Sequence, residues 1–282
     1  MKIIHGMHGL GDNIYQRSFI RAYQPTEQIY LRTPWPELYQ DLPNVRFIRP
    51  ETPLRTQNRN MARSKVRWHG NPGQPHITVR YGQRGIIRGM VDAFGHWPAP
   101  MNLPDFGIIE HTQPYVMVRP VTIRSEWRSE SRNPLPEYVN EAAQMARMMG
   151  FRVVSVADLS PGAEWAVGDL PEADVTYHAG ELSVAQLMAL TRFAKAVIGG
   201  VGWIVPAAIA THTPAWIVCG GHGAYNAPEK LVDPRMNLDR IEFAVPDNFC
   251  RCSDSTHNCD KRISDHANKF AEWIGKLPYL VA

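Results

Sequence analysis

Short apolar segments alternate with single helical segments along most of the chain, and this alternation limits the fold more than any other feature. An apolar segment at 115–119 precedes a helical pattern at 136–149, and a second apolar segment follows at 151–157. Two strands joined by one helix form a parallel pair with a right-handed crossover. The sequence therefore predicts an α/β fold with parallel sheets. Further strands are predicted at 2–5, 28–31, 45–48, 76–81, 175–178, 196–199 and 215–218, and further helices at 14–22, 34–41, 86–94, 183–193 and 203–210.

A Pro-rich passage divides this pattern into two parts. Residues 97–104 contain three prolines, and a chain of 282 residues is long enough for two separate cores. We predict Rossmann-like domains at 1–105 and 106–282, with their parallel sheets facing each other across a cleft. Residues 50–75 are rich in Thr, Arg, Asn, Gly and Pro without clear periodicity, and we expect a long basic loop inserted in the first domain.

The composition is that of an ordinary globular chain. The mean hydropathy is −0.31, and no apolar run approaches the roughly 18 residues that a membrane span requires. The first residues lack a signal-peptide pattern, and four cysteines in such a chain argue against a disulfide scaffold. We therefore expect a cytoplasmic protein without a membrane span.

The positive charge is concentrated in the first half. Residues 1–110 carry 14 basic and 8 acidic side chains, whereas residues 111–282 carry 16 and 19. Between residues 46 and 88 there are ten basic side chains and one acid. This asymmetry predicts an anionic partner on the N-terminal half.

The first predicted strand leads into a glycine-rich turn that ends on one carboxylate. Gly6, Gly9 and Gly11 suit a backbone of positive φ that passes close to a ligand. Asp12 and Asn13 follow where a helix is expected to begin. A strand, a glycine-rich loop and a helix N-terminus form a substrate cleft in many open α/β sheets. Asp12 is then either a cap of this helix or the base of a reaction.

Two more glycine-rich turns follow the predicted strands at 196–199 and 215–218. Such turns direct backbone N–H groups and the positive end of a helix dipole at a pyrophosphate. Close packing of a helix on a sheet explains the same glycines. In the binding interpretation, Gly200, Val201 and Gly202 contribute mainly backbone amides.

These motifs resemble those of the heptosyltransferase-like GT-B glycosyltransferases, which include ADP-heptose lipopolysaccharide transferases and short phage-encoded relatives. That family opens with a strand and a Gly-Asp pair at a helix start, as Gly11 and Asp12 do here. The second half matches the family pattern at Gly202, Ala207, Ala208, Thr213, Pro214 and Gly220.

The resemblance implies a GT-B fold and an enzyme that moves a sugar from a nucleotide-sugar donor to a hydroxyl acceptor with inversion. It also implies that Asp12 is the base and that no cofactor is required beyond the co-substrate. The family's Asp and His fall on Gly200 and Val205, so donor recognition must differ here. No Asp-x-Asp motif occurs, and we therefore expect a metal-independent reaction.

Two sets of side chains are predicted to bind the substrates. Arginines suit a diphosphate and a carboxylate suits ribose hydroxyls, while a solvated loop, a helix-cap acid and a structural histidine are the alternative explanations. For a UDP- or ADP-type donor the predicted residues are Arg119, Thr122, Arg124, Glu181, Gly200, Val201, Gly202 and His222. For the acceptor they are His8, Gly11, Asn13, Arg63, Lys65 and Arg67.

Three functions are compatible with the basic first half. Basic side chains interleaved with Trp68, His69 and Tyr81 favour DNA, and specifically a hydroxymethylated pyrimidine base glycosylated by a phage-type enzyme in the host cytoplasm. A phosphorylated lipopolysaccharide or other surface glycan is the second acceptor class. A nucleotide-binding module without catalysis is the third hypothesis, because the family's second-domain Asp and His are missing.

A cysteine cluster near the C-terminus offers metal ligands. Three thiols and one imidazole lie within ten residues, at Cys250, Cys252, His257 and Cys259. This set suits a tetrahedral structural zinc ion, although the Cys-x-Cys spacing is not that of the usual zinc knuckle. A labile disulfide and free thiols are the other interpretations.

Overall fold

The computed structural model describes residues 1–82, 84–108 and 113–277. Within them the chain forms two sheets in which all neighbouring strands are parallel, and one separate antiparallel pair. The strands are β1 Lys2–His5, β2 Ile29–Arg32, β3 Val45–Ile48, β4 Trp68–His69, β5 Ile77–Thr78, β6 Tyr115–Arg119, β7 Thr122–Arg124, β8 Arg152–Val156, β9 Glu164–Ala166, β10 Val175–Tyr177, β11 Ala196–Gly200, β12 Ala215–Val218 and β13 Ile241–Ala244.

Helices connect most of the strands that are consecutive in the chain and adjacent in a sheet, whereas β8 and β10 are connected through β9. The first sheet has the order β4-β3-β2-β1-β5, the second has the order β10-β8-β6-β11-β12-β13, and β7 pairs with β9. The helices are α1 Leu10–Arg21, α2 Arg55–Arg63, α3 Ile86–Phe94, α4 Pro136–Met148, α5 Val184–Phe193, α6 Ile204–Thr211, α7 Gly223–Asn226, α8 Pro228–Leu231 and α9 His266–Gly275, with a 3₁₀ helix at Pro36–Tyr39. None of these helices has the length and apolar character needed to span a bilayer. The architecture is the predicted α/β arrangement of two parallel sheets.

The second sheet is covered by helices on both faces. In β6, Val116 and Val118 pack with α4 and α9, whereas Met117 between them packs with α5 and α6, and all three are fully buried. A strand that is buried on both faces is apolar at every position rather than at alternate ones. This explains why the central strands stand out so clearly in the sequence.

The two halves share one apolar core. Helix α1 packs against α6, and Ile14 and Ile204 belong to the same buried cluster. A Cβ atom on Gly11 would lie 3.1 Å from Cα of Trp203, so the start of α1 closely approaches the start of α6. The loops that follow β1 and β11 are therefore held against each other. The exact division into domains at residue 105 stays a prediction.

The opening loop differs from its prediction in two respects. Helix α1 begins at Leu10 with Gly9 as its N-cap, so Asp12 lies in the first turn and is not the cap. Gly6, Gly9 and Gly11 do not have positive φ angles. They are needed for space instead, because a Cβ atom on Gly9 would lie 2.3 Å from a carboxylate oxygen of Asp12.

The prediction of a long loop at 50–75 was wrong, because this segment contains α2 and β4. Helix α2 is almost entirely polar, with the sequence RTQNRNMAR, and so it lacks the apolar periodicity on which helix prediction depends. One face of α2, which is mainly polar, packs against the rest of the protein, and its buried residues are Gln57, Asn60 and Met61.

The other misses are short or terminal elements. The predicted bounds of β1, β3, α3, β6 and β12 are confirmed, whereas β7, β9, β13, α7, α8 and α9 were not predicted. Strands β7 and β9 have three residues each, too few for a periodic signal. Helix α9 completes the core beneath β12, where the indole N–H of Trp216 donates to Nε2 of His266 at 3.1 Å.

Candidate active site

A cavity of about 300 Å³ lies between the two halves, at the carboxyl ends of β1, β6 and β11. Ligands of open α/β sheets bind at this edge. The first half contributes residues 9–12, Tyr15, Tyr81 and the inner face of α2. The second half contributes the loops after β6, β8, β10 and β11. The volume is at the lower end of the range of small-molecule sites.

Asp12 lies at the bottom of this cavity and is held by the first turn of α1. The backbone N–H of Gly9 donates to its carboxylate, which is half of a capping box. Burial raises the pKa of Asp12 to about 6, and this effect exceeds the lowering by the Arg132 guanidinium and by the Gly9 N–H. At neutral pH the carboxylate is therefore mostly ionised and ready to accept a proton.

Two tyrosines enclose Asp12. Burial raises the pKa of both Tyr15 and Tyr81, and the charge of Asp12 adds to this shift. Their phenol groups therefore stay protonated at any physiological pH. The buried hydroxyl of Tyr15 has no hydrogen-bond partner among the described residues. The two rings therefore form part of the wall around the carboxylate, which is itself partly buried.

The opposite wall of the cavity is a cluster of arginines around one acid. Glu164 of β9 is 2% exposed and accepts a hydrogen bond of 2.8 Å from the Thr122 hydroxyl. The guanidinium groups of Arg119, Arg124 and Arg55 lie 3.6, 3.4 and 3.5 Å from its carboxylate oxygens. Three arginines therefore share one carboxylate. Because Arg55 also pairs with Asp158 and Glu126, the excess of positive charge comes from Arg119 and Arg124.

Arg132 adds a further positive charge to this wall. Among the residues that the structure describes, it forms no ion pair, and its Nε atom is buried without a partner. Its guanidinium lies 5.7 Å from the ring centre of Trp127. Burial, together with repulsion from Arg119 and Arg124, lowers the pKa of Arg132 to about 10. An anion bound here would relieve both effects.

Helix α2 crosses the cavity from the first half to the second. Asp158 accepts a hydrogen bond of 2.8 Å from Arg55 and another of 2.8 Å from Arg59. Arg63 donates to the carbonyl oxygen of Gly180 at 2.9 Å. These three arginines, which the sequence suggested as part of a basic surface, therefore connect the two halves.

The structure was compared with known proteins. No protein-family model and no curated protein matches the sequence. The fold is similar to that of bacterial iron-containing dodecameric glycosyltransferase TibC from enterotoxigenic E. coli H10407, with a TM-score of 0.65 and 16% identity over 99% of this chain and 76% of that chain. It is also similar to E. coli ADP-heptose lipopolysaccharide heptosyltransferase II, with a TM-score of 0.54 and 15% identity over 96% and 98% of the two chains. A glycosyltransferase of family 9 from Veillonella parvula DSM 2008 matches with a TM-score of 0.57 and 12% identity over 98% and 96%.

The chain has the GT-B fold. This confirms the fold that the sequence resemblance implied. In this GT-B chain the loop after β1 faces the loops after β6 and β11 across the cavity. Two of the three glycine-rich turns singled out in the sequence therefore lie at the same site, whereas the turn after β12 lies outside the lining.

The predicted donor residues are only partly brought together. Arg119, Thr122, Arg124, Glu181, Val201 and Gly202 line the cavity. Glu181 accepts a hydrogen bond from the backbone N–H of Ala179 and is not the cap of α5, because Ser183 caps that helix. Gly200 lies outside the lining and packs against Pro134, where a Cβ atom would be 3.0 Å from its ring. His222 also lies outside, with Nε2 3.0 Å from the carbonyl oxygen of Ser253.

The predicted acceptor residues are more dispersed. Gly11 and Arg63 line the cavity, whereas His8, Asn13, Lys65 and Arg67 do not. Asn13 is fully buried, and its amide donates to the carbonyl oxygens of Met7 and Gly9 at 2.6 and 2.8 Å. It therefore shapes the loop that carries Asp12 rather than facing a ligand. Lys65 and Arg67 are exposed on the surface.

Several site residues were not singled out from the sequence. These are Tyr15, Glu164, Asn133 and Arg132, whereas Tyr81 was named only as an aromatic residue of the basic surface. Glu164 reaches the site only because β9 pairs with β7, with Trp165 opposite Ile123. No local pattern reports such a pairing. For Arg132, the signal was its place in an arginine-rich passage after β6.

The cysteine cluster lies beside this site. Ligand atoms of Cys250, Cys252, His257 and Cys259 all lie within 4.8 Å of one another. Sγ of Cys252 and Sγ of Cys259 are 3.5 Å apart, and Nδ1 of His257 is 3.5 Å from Sγ of Cys250 and 3.4 Å from Sγ of Cys259. Tetrahedral Zn²⁺ with bonds of roughly 2.0 to 2.3 Å requires spacings of about 3.5 to 3.8 Å between its ligands. The four side chains therefore fit a tetrahedral ion. The three cysteines of the cluster are free thiols, as is Cys219 outside it.

Proposed function

We propose that this protein is a metal-independent, inverting glycosyltransferase that moves a sugar from a nucleotide-sugar donor to a hydroxyl acceptor. The proposal rests on one observation, which is that a carboxylate and a group of arginines lie on opposite walls of one cavity. Asp12, with a pKa raised to about 6, faces an arginine cluster that has more positive charge than its one buried carboxylate neutralises. A base and an anion site on opposite sides are what glycosyl transfer needs.

The chemistry assigns one role to each wall. Asp12 accepts the proton of the acceptor hydroxyl, whose oxygen forms a bond to the anomeric carbon of the sugar. The bond from that carbon to the diphosphate oxygen breaks on the opposite side, and the electron pair leaves with the diphosphate. Arg119, Arg124 and Arg132 stabilise the charge that develops on this leaving group. The reaction yields a glycoside and a nucleoside diphosphate.

For the donor we propose an ADP- or UDP-type nucleotide sugar. Glu181 lines the cavity beside the carbonyl oxygen of Gly180 and is exposed, so it is available to accept hydrogen bonds from ribose hydroxyls. A structure of TibC is described as a complex with ADP-D-β-D-heptose. ADP-heptose is therefore the first donor to test.

For the acceptor we propose an anionic molecule, with hydroxymethylated DNA tested first and phosphorylated glycan second. Arg46, Arg49, Lys65, Arg67 and Arg80 are exposed on the first half and are available to phosphates. The arginines of α2 are engaged with the second half, and this reduces the basic surface that favoured DNA. A steep fall of binding with salt is expected for either polyanion, so only transfer distinguishes the two classes.

We also propose that the cysteine cluster holds a structural metal ion, with Zn²⁺ as the first candidate. Three thiolates and one imidazole favour zinc or iron over magnesium or calcium. TibC is described as iron-containing, so metal analysis has to distinguish iron from zinc. All four positions are filled by protein ligands, and the ion therefore takes no part in the transfer step.

The proposal is tested by incubating the protein with a panel of nucleotide sugars and each acceptor class. The expected result is a mass increase of one sugar on one acceptor, with release of one nucleoside diphosphate per sugar. Binding of a nucleotide sugar without transfer to any acceptor, and without its hydrolysis, would identify a non-catalytic binding module instead. Transfer to glycan but not to DNA would reject the first acceptor and keep the enzyme.

A further inference from the structure

Arg132 is positioned by its backbone rather than by an ion pair. Its side chain reaches the cavity, yet no carboxylate within residues 1–82, 84–108 and 113–277 lies at ion-pair distance, although the charge of Asp12 still acts on it. Its location therefore depends on the conformation of the loop at 129–133, called the arginine loop below. This loop has no helix or strand of its own.

The arginine loop is bound to the segment that carries the cysteines, residues 250–259. Ser131 is fully buried, its backbone N–H donates to the carbonyl oxygen of Ser255 at 3.0 Å, and its hydroxyl donates to that of Asp254 at 2.8 Å. Lys261, just beyond the segment, donates to the carbonyl oxygen of Glu130 at 2.8 Å. Three hydrogen bonds thus join two irregular segments that are more than 100 residues apart.

Two glycines are packed between the loop and the cluster. A Cβ atom on Gly220 would lie 2.4 Å from the carbonyl oxygen of Arg132, and one on Gly221 would lie 2.3 Å from Sγ of Cys259. The backbone N–H of Gly221 also donates to the carbonyl oxygen of Ser131 at 2.7 Å. The end of β12 is therefore in contact with both the arginine loop and a cysteine ligand.

The cysteine segment is ordered by hydrogen bonds and not by an apolar core. The backbone N–H groups of Gly223 and Ala224 donate to the carbonyl oxygens of Cys250 and Cys252 at 2.9 and 3.2 Å. Residues 250–259 contain a turn but no helix or strand. Cys250 and Cys252 are only partly buried, and His257 is exposed. Where a segment lacks a hydrophobic core of its own, metal ligation supplies the free energy that fixes it. A metal ion bound by the four ligands would then fix the two carbonyl oxygens, of Asp254 and Ser255, to which Ser131 donates.

We infer that the metal held by the cysteine cluster positions Arg132 in the donor-diphosphate site, through Ser131 and the backbone of Gly221. The ion is a thiophilic metal such as zinc or iron, and its role is to order the arginine loop. The inference about the diphosphate rests on the proposed function, whereas the ordering of the loop does not.

Amide hydrogen exchange tests the ordering directly. The full-length protein is measured loaded with Zn²⁺, after removal of metal by a chelator, and after reloading with Zn²⁺ or Fe²⁺. Exchange at 129–133 is expected to rise with exchange at 250–259 when metal is removed and to return on reloading, while amides of β1 stay protected. Unchanged exchange at 129–133, general opening of the second sheet, or failure to bind either metal would each overturn the inference.

Nucleotide binding gives the second readout. Removal of metal is expected to weaken the binding of ADP or UDP roughly 10-fold, since one charge-assisted hydrogen bond to phosphate is lost. In Arg132→Gln the binding is already weak, and metal removal is expected to change it no further. An equal loss in both proteins would contradict a role through Arg132. If neither nucleotide binds the loaded wild type, the proposed function fails, and hydrogen exchange still decides the ordering.

Two substitutions and one control distinguish loss of the metal from loss of order in the arginine loop. Cys250→Ser is expected to lose the metal and to expose 129–133 to exchange. Ser131→Ala is expected to keep about one metal per chain and still to expose 129–133. Cys219→Ala is the matched control, because Cys219 is a cysteine outside the cluster. It is expected to keep both the metal and the protection of the loop, and loss of either would show that cysteine replacement itself disturbs this region.

Discussion

Asp12 stabilises the start of α1, whereas the burial of its ionised carboxylate lowers the stability of the fold. In the first turn of α1 it accepts the N–H of Gly9, which stabilises the helix start. Its position beside Tyr15 and Tyr81 removes much of its contact with water, and this burial raises its pKa to about 6. An acid with a raised pKa is bound more tightly to its proton in the folded state than in the unfolded state. The ionised carboxylate is therefore kept at a cost in stability, which is common for functional groups.

We predict that Asp12→Asn stabilises the fold at neutral pH. The free-energy cost of keeping Asp12 ionised in the folded protein is absent below about pH 4. It grows as the pH rises toward 6 and reaches its full value above pH 6. The substitution removes this cost while its amide oxygen still accepts from Gly9. The expected gain in the free energy of unfolding is on the order of 1 to 3 kcal/mol at pH 8 and close to zero at pH 4. Chemical denaturation at both pH values measures it, and a loss of stability at pH 8 would contradict the assignment.

At the scale of elements, α2 links the first sheet to the second through charge. Arg55 and Arg59 share Asp158, whose side chain is 17% exposed. Arg55 also lies 3.5 Å from the buried Glu164, so the same helix contacts the arginine cluster on the other side of the cavity. Ion pairs at this depth are worth more than surface pairs, and breaking one leaves partly buried charge without a partner.

We predict that Asp158→Asn loosens α2. The substitution removes the charge that two guanidinium groups share, with an expected cost of roughly 1 to 3 kcal/mol. Limited proteolysis or hydrogen exchange at 55–63 is the measurement, and both are expected to increase. Asp105→Asn is the control, because its pair with Arg192 is exposed on both sides and is worth less than about 1 kcal/mol. Equal effects of the two changes would contradict the linking role of α2.

The elements that the sequence predicts well are those buried on two faces. Strands β6 and β12 are continuous apolar runs, and their bounds were predicted correctly. Helix α2 was missed because its buried positions are amides and its partners are carboxylates 100 residues away. Likewise, Asp12 was found from a Gly-Asp pair at a helix start, whereas Glu164 and Arg132 depend on long-range pairing. Local patterns report the core, and they do not report polar contacts between distant segments.

At the scale of the whole molecule, the site exists because two sheets share a core. Side chains of α1 and α6 belong to one buried cluster, and Gly11 permits the approach of Trp203. The proposed base therefore comes from one half, and the arginines proposed to bind the leaving group come from the other. Any motion that separates the halves would also separate the proposed base from the proposed leaving-group site.

The central claim is that Asp12 is the base of glycosyl transfer in this cavity. The most direct test is the pH dependence of kcat/KM for the wild type and for Asp12→Asn, with the donor and acceptor found in the transfer assay. For the wild type, kcat/KM is expected to fall below about pH 6 as Asp12 is protonated. Asp12→Asn is expected to lose roughly 10²- to 10⁴-fold in kcat/KM and to lose this dependence on pH. Transfer by Asp12→Asn at close to the wild-type rate, with the same acidic limb, would contradict the account.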